Sequence, residues 1–231
     1  MRMGLIDSTH LMARKLANSR VRVGTVIVAE AQSRGIGRYG KDWSSAPGGL
    51  YLTAILEYQS PPSILPLLVG VAVAETIREF ENVRAELKWP NDVMVEGKKI
   101  AGVLVDTIWQ EEYPELILVG IGVNINNRLP LSLGSATSVS TECGREIDID
   151  SFLFNLLERL EYLLGLLKID PENIVSRWRR LSETLGKDLI IRSDTGKIIS
   201  GIAVDVDRDG ALLVECKGSI RRVLSGTFLL R

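Results

Sequence analysis

Three glycines and three cations share one short stretch. In AEAQSRGIGRYGKDW (29–43), Gly35, Gly37 and Gly40 interleave with Arg34, Arg38 and Lys41. Glycine lets the backbone approach a ligand closely and turn its N–H groups onto an anion, and the basic side chains add charge for a phosphate or carboxylate. The spacing is also a literal G-x-G-x-x-G. A dinucleotide-binding turn needs a strand before the glycines and a helix opening at them. Val23–Glu30 (VGTVIVAE) supplies the strand, being rich in β-branched residues. The helix is missing, because Pro47, Gly48 and Gly49 interrupt the chain within two turns and Leu50–Tyr58 returns to a strand pattern. Two readings remain for the glycines: a cradle for an anionic ligand, or a solvated basic loop.

The rest of the chemistry is bounded by scarcity. His10 is the only histidine, so a multi-histidine zinc site is impossible. A Ser-His-Asp triad could use only His10, and its neighbours Asp7, Ser8 and Thr9 are too close along the chain to complete one with it. A pairing of His10 with Cys143 stays open as a nucleophile reading. Cys143 and Cys216 are far apart, which fits reduced thiols better than a disulfide framework. The net charge of −1 gives no general attraction to nucleic acid or membrane. Apolar runs near 64–74 and 152–167 are broken by Pro66 or by charges, so neither reads as a membrane span. The start of the chain has no signal-peptide core. These features point to the cytoplasm.

The elements that must carry these residues can be read from pattern. Asp7 or Ser8 caps a helix whose apolar face holds Leu11, Met12 and Leu16. Ile64–Glu81 reads as a long, largely buried helix. Arg84–Trp109 reads as strand, proline break, strand, turn at Glu96–Lys98, strand, and Glu115–Arg128 adds another strand ending in Gly and Asn. Successive strands with tight turns predict an antiparallel meander rather than βαβ units. Asp150 is expected to cap an amphipathic helix with Phe152, Leu153, Leu156, Leu157, Leu160, Leu163, Leu164 and Leu167 on its buried side, and a second helix runs from about Glu172 to Leu185 after Pro171. From Gly186 the texture turns to short β-rich runs with turns at Asp194–Gly196, Asp207–Gly210 and Lys217–Gly218, which suggests a small barrel. At 45% hydrophobic, 231 residues suffice for one sizeable core and a satellite domain. The division is expected near Leu185–Lys187, giving domains 1–185 and 186–231.

Several motifs fall in one order: DST (7–9), the glycine-rich stretch, GGLY (48–51), KWPND (88–92), KKIAGVLV (98–105) and GIGVNIN (120–126), with GALLVECKGSIRRVLSGTFLLR closing the chain. In this the chain resembles the biotin–protein ligases, and the resemblance covers essentially its whole length. It implies an α+β fold: a mixed sheet flanked by helices, related to class II aminoacyl-tRNA synthetases, followed by an SH3-like β-barrel. It implies adenylation of biotin by ATP with Mg²⁺, giving biotinyl-5′-AMP, and then transfer to a lysine of a biotin carboxyl carrier domain. It also implies a homodimer. Longer members carry an N-terminal DNA-binding domain; here DST begins at residue 7, so no specific DNA binding is expected.

Carried over by position, the resemblance implies that Ser8, Thr9, His10 and Gln32 meet biotin's ureido ring and its surroundings. Gly35, Ile36, Gly37 and Arg38 match the loop that closes over biotin and the adenylate. Lys99 matches the lysine that holds carboxylate and phosphate, which makes Arg38 and Lys99 the catalytic cations. Trp43 matches an aromatic packing on adenine, Asn124 and Asn91 lie where nucleotide is contacted, and Asp92 is the candidate metal ligand. Two positions depart from the family pattern. Ile36 stands where an arginine is usual, with Lys41 for a second arginine, and His10 replaces an asparagine. Two rivals are kept: a lipoate–protein ligase of the same fold, and a non-catalytic biotin or nucleotide sensor.

Overall fold

Twelve strands and five helices are arranged around two sheets in the described residues of the computed structural model, which are 1–19, 21–58, 62–79, 83–110, 113–130 and 133–229. The first sheet has seven strands: β1 (Arg2–Ile6), β2 (Val26–Gln32), β3 (Leu50–Glu57), β4 (Glu86–Lys88), β5 (Asp92–Val95), β6 (Lys98–Gln110) and β7 (Tyr113–Val123). Their order is β1-β2-β3-β7-β6-β5-β4. Only the β1–β2 pair is parallel; the run from β4 to β7 is the antiparallel meander expected from pattern. Positive φ at Glu96 (49°) and Gly97 (74°) makes the tight turn between β5 and β6.

The two faces of this sheet bury different things. Alternation along β3 sends Leu50 and Leu52 to one side and Ile55 to the other. On the first side lies α2 (Leu65–Glu79), buried nearly all round, because α4 (Ile149–Ile169) and α5 (Pro171–Leu181) cover its back. A helix buried on all sides needs the near-continuous apolar sequence LPLLVGVAVA. The other side is covered by α1 (Thr9–Ala17), which buries Ala13 and Ala17 against Ile27, Ile55 and Leu118. One helix of nine residues cannot cover the face of seven strands. The uncovered part of that face, beside the N-terminus of α1, is where a ligand can lie.

Several boundaries differ from the sequence reading for local reasons. The cap of α4 is Asp148, whose carboxylate accepts from the Asp150 N–H at 3.0 Å. Asp150 sits inside the first turn and pairs instead with Arg2 of β1 at 2.7 Å. The helix α5 stops at Leu181, where Ser182 turns extended and its hydroxyl accepts from the Thr184 and Leu185 N–H groups. The expected end of α2 at Phe80 and Glu81 lies outside the described residues. The short strand β1 and α3 (Val139–Cys143) had no pattern long enough to be seen.

The second sheet holds β8 (Asp188–Ser193), β9 (Ile198–Val206), β10 (Leu212–Cys216), β11 (Ser219–Val223) and β12 (Gly226–Leu229), ordered β11-β10-β9-β8-β12 and antiparallel throughout. Among the described residues no backbone pairing joins β11 to β12, so the strands curl as a five-stranded sheet without a closed ladder. This sheet packs on the first domain through polar as well as apolar ties. Trp89 donates its indole N–H to the Gly210 carbonyl at 3.1 Å, and Arg179 of α5 holds Asp205.

Candidate active site

A cleft of about 300 Å³ opens on the α1 face of the first sheet and is closed at one side by Gly226, Thr227 and Phe228 of the second. Its floor is made by glycine. Gly102 of β6 and Gly122 of β7 are cross-strand partners, and the Trp43 indole lies on them. A Cβ at Gly122 would come within 2.5 Å of that ring and one at Gly102 within 2.9 Å, so any side chain there would lift the indole off the sheet. Gly120, two residues along β7, leaves the same kind of room for His10.

One end of the cleft is neutral and polar. Thr9 donates to Gln32 Oε1 through both its backbone N–H (2.8 Å) and its hydroxyl (3.1 Å). Gln32 Nε2 donates to Ser45 (2.8 Å), and Thr53 donates to the Thr9 hydroxyl (2.9 Å). The chain of bonds fixes the amide of Gln32 with oxygen toward α1 and nitrogen toward Ser45. Ser8 is the N-cap of α1 and accepts from the His10 and Leu11 N–H groups, so its hydroxyl serves both the helix and the cleft wall. His10 is buried beside it, with Nε2 at 2.9 Å from Asp106.

The other end is cationic, and consecutive residues hold two of its charges. Asn91 accepts from Arg38 Nη1 at 3.1 Å, and Asp92 pairs with Lys99 Nζ at 2.6 Å. The Asn91 amide cannot turn over, because its nitrogen donates to the Val103 carbonyl at 2.7 Å. The Lys99 backbone is bridged to one neighbouring segment twice, donating to the Ser135 carbonyl and accepting from the Thr137 N–H. Its ammonium also stands 5.1 Å over the Trp43 ring. Arg38 reaches the second domain as well, donating to the Ser225 hydroxyl at 2.6 Å, while the neighbouring Tyr39 hydroxyl donates to Asp194. Tyr39 takes a positive φ of 58° in the three-residue 3₁₀ turn Arg38–Gly40, a tight bend and not the helix a dinucleotide-binding turn requires.

The structure therefore brings together Ser8, Thr9, His10, Gln32, Ile36, Gly37, Arg38, Trp43, Asn91, Asp92 and Lys99 around one cleft. Gly35 and Asn124 stand apart from it. Gly35 is buried under the loop, where a Cβ would strike the Trp43 carbonyl oxygen at 2.3 Å. Asn124 is spent on scaffolding, since its nitrogen donates to Thr137 and its oxygen accepts from Asn127. Cys143 lies on α3 and does not line the cleft, so the His10–Cys143 pairing has no support in the geometry. The sequence reading missed Lys88, Tyr39, Thr53 and Phe228, which do line it. Thr53 had a signal, as a lone hydroxyl in the apolar run LYLTAIL. Lys88 had one too, in the KWPND motif, whereas Phe228 depends on a domain contact.

Comparison with known proteins gives the class. The Biotin/lipoate A/B protein ligase family model matches residues 3–124 and the Biotin protein ligase C terminal domain model matches residues 184–231. The chain belongs to the biotin/lipoate A/B protein ligase family. Within it, the structure is similar to that of the biotin protein ligase from Aquifex aeolicus in complex with biotin and ATP. That match has a TM-score of 0.88 and 30% identity over all of this chain and 97% of the other. The bifunctional ligase/repressor BirA of Bacillus subtilis is 31% identical over 96% of this chain and 70% of its own. The biotin–[acetyl-CoA-carboxylase] ligase of Paracoccus denitrificans is 28% identical over 90% of each.

Proposed function

We propose that this chain is a biotin–protein ligase: it activates biotin with ATP as biotinyl-5′-AMP and transfers the biotinyl group to a lysine of a biotin carboxyl carrier domain. The observation that carries this reading is the polarity of the cleft, neutral hydrogen-bonding groups at one end and two braced cations at the other. Biotin has the matching polarity, a neutral ureido ring and an anionic carboxylate. In the first step a carboxylate oxygen bonds to the α-phosphorus, the bond to the bridging oxygen breaks, and pyrophosphate leaves. Two anions must meet, so Arg38 and Lys99 stand where negative charge accumulates. In the second step the carrier lysine attacks the acyl carbon and AMP departs. No side chain needs to act as a covalent nucleophile.

Thr9, Gln32, Ser8 and His10 are assigned to the ureido end, and Gly37 and Ile36 to the loop over the acid. Trp43 and Asn91 are assigned to the nucleotide. Gly35 and Asn124 support the site through the loop and the β7 end, without touching ligand. Among the described residues no three or more His, Cys, Asp or Glu side chains gather to hold a metal. A lone carboxylate, Asp92, fits Mg²⁺ carried chiefly on the triphosphate oxygens, and Mg²⁺ is proposed in that role only. We assign residues 1–185 to the catalytic domain and 186–231 to the C-terminal domain. A cytoplasmic homodimer without specific DNA recognition completes the proposal, the last part of it supported by the near-zero net charge. Sedimentation tests the dimer, and a footprint on a discrete DNA site at physiological salt would oppose the last point.

The deciding experiment is pyrophosphate exchange with biotin and ATP, run beside lipoate. Exchange with biotin alone is the expected result. Exchange only with lipoate would move the chain to the lipoate branch of the family, and binding of biotin without exchange would make it a sensor.

A further inference from the structure

Among the described residues two buried polar atoms of the cleft lining have no hydrogen-bond partner, Trp43 Nε1 and His10 Nδ1, and the second has its ring held in a defined pairing. His10 is only 5% exposed, and its Nδ1 is buried with no hydrogen-bond partner in the protein. That nitrogen faces Gly120, where a Cβ would stand 3.1 Å away, and the imidazole lines the cleft. The other ring nitrogen meets Asp106 Oδ2 at 2.9 Å, and Arg14 donates to the same oxygen at 2.6 Å. The hydrogen bond from His10, opposed by burial and aided by Arg14, holds the Asp106 carboxyl below its usual range, so it stays ionised. An ionised carboxylate can only accept, which places a proton on Nε2; in the imidazole form the other nitrogen, Nδ1, then carries a bare lone pair.

We propose that Asp106, braced by Arg14, fixes His10 as the acceptor for a ureido N–H of biotin. The inference rests on the biotin reading of the preceding section and adds to it a direction of hydrogen bonding and two positioning residues. The donor is identified by elimination. Biotin's carboxylate, thioether and ureido carbonyl all accept, and its only donors are the two ureido N–H groups. A buried unpartnered acceptor is costly, so the ligand atom that satisfies it gains more than an exposed contact would. Asp106 and Arg14 act through His10: one sets which nitrogen is bare, and the other keeps the carboxylate in place.

Because His10 is the only histidine, ring ¹⁵N labelling of the tag-free full-length chain gives one pair of signals to follow. The free protein at neutral pH should show Nε2 protonated and Nδ1 bare. Saturating biotin should shift the Nδ1 signal in the direction of an accepted hydrogen bond, and ATP alone should not. Asp106→Ala should mix the two tautomers and weaken biotin binding about three- to tenfold, the loss of one modest hydrogen bond. His10→Asn, which keeps an acceptor, should bind biotin more tightly than His10→Leu, with melting temperatures showing that both are folded. A protonated Nδ1 in the free protein, or an Nδ1 signal unmoved while calorimetry shows biotin bound, overturns this proposal and leaves the ligase reading standing. Absence of any biotin binding overturns both.

Discussion

Replacing Gly122 by alanine should separate a binding platform from a merely packed aromatic. The added Cβ would lie 2.5 Å from both Cε2 and Nε1 of Trp43 and 2.9 Å from Cζ2. Ordinary carbon contacts are about 3.5–4.0 Å, so the indole must retreat by roughly 1 Å. It has little freedom to do so. The Trp43 backbone N–H donates to the Gly35 carbonyl at 2.9 Å, the Trp43 carbonyl accepts from the Ser45 hydroxyl at 3.0 Å, and the ring's far edge already touches Gly102. Overpacking of this kind costs about 1–3 kcal/mol. The stiffer unfolded chain returns only about 0.4–1 kcal/mol, so the clash wins. If the ring leaves its seat, the cost falls on nucleotide binding, a rise of about 5- to 150-fold in the KM for ATP at roughly 1.4 kcal/mol per decade. If the ring stays, the cost falls on stability and the melting temperature drops. Biotin-dependent pyrophosphate exchange at varied ATP, tryptophan emission and a melting curve read both routes. An alanine variant unchanged in all three would refute the claim that these glycines exist to seat Trp43.

The two cations predict a different pattern. Lys99→Ala and Arg38→Ala should each slow adenylate formation by about 10²–10³ while changing biotin affinity far less; single-turnover measurement of biotinyl-5′-AMP checks this, and a variant near the parent rate would be removed from the catalytic set. Acid stability should depend on Asp106, whose carboxyl is depressed in the folded state chiefly by the His10 hydrogen bond. Its contribution is complete above the unfolded carboxyl pKa, about 3.9, and is lost as pH falls through the lower folded value, so Asp106→Asn should flatten the stability profile below about pH 4 in denaturant titrations. Trypsin should nick the free protein between Arg34 and Lys41, more slowly with biotin and slowest with biotin and ATP; equal rates in all three would leave the glycines as a plain turn.

What the sequence disclosed and what it hid divide by range. The glycine-rich loop, KWPND and the GIG of β7 each act within a few residues, and the spacing itself carries their meaning. The meander was legible because Glu96–Lys98 is a strong turn between β-branched runs. Asn124 is harder to read, because a buried asparagine near a site looks the same in sequence whatever it serves; its bonds to Thr137 and Asn127 appear only in the structure. Asp106 was invisible for a related reason, since it sits 96 residues from His10 and gains its meaning from the register of β6 beside α1. Asp150 looked like a cap because Asp148, two residues earlier, offers the same side chain.

The bond from Arg38 to Ser225 spans 187 residues of chain. Closing a contact of such long separation costs more chain entropy than closing the local turns of the meander. During synthesis, the seven strands of the first sheet and the helices on it leave the ribosome before the second sheet is made. In that interval the glycine-rich loop has its cation and its indole, but nothing holds Arg38 or Tyr39 from above. The last strands add few residues to the lining, yet they supply the hydroxyl and the carboxylate that pin the loop. A chain cut short before Ser225 would keep most of its core and the bond from Arg38 to Asn91, but lose the hydroxyl that Arg38 meets on the second sheet. The loop at the cleft is thus tied down by residues that lie far beyond it in the chain, and its full set of bonds needs both sheets.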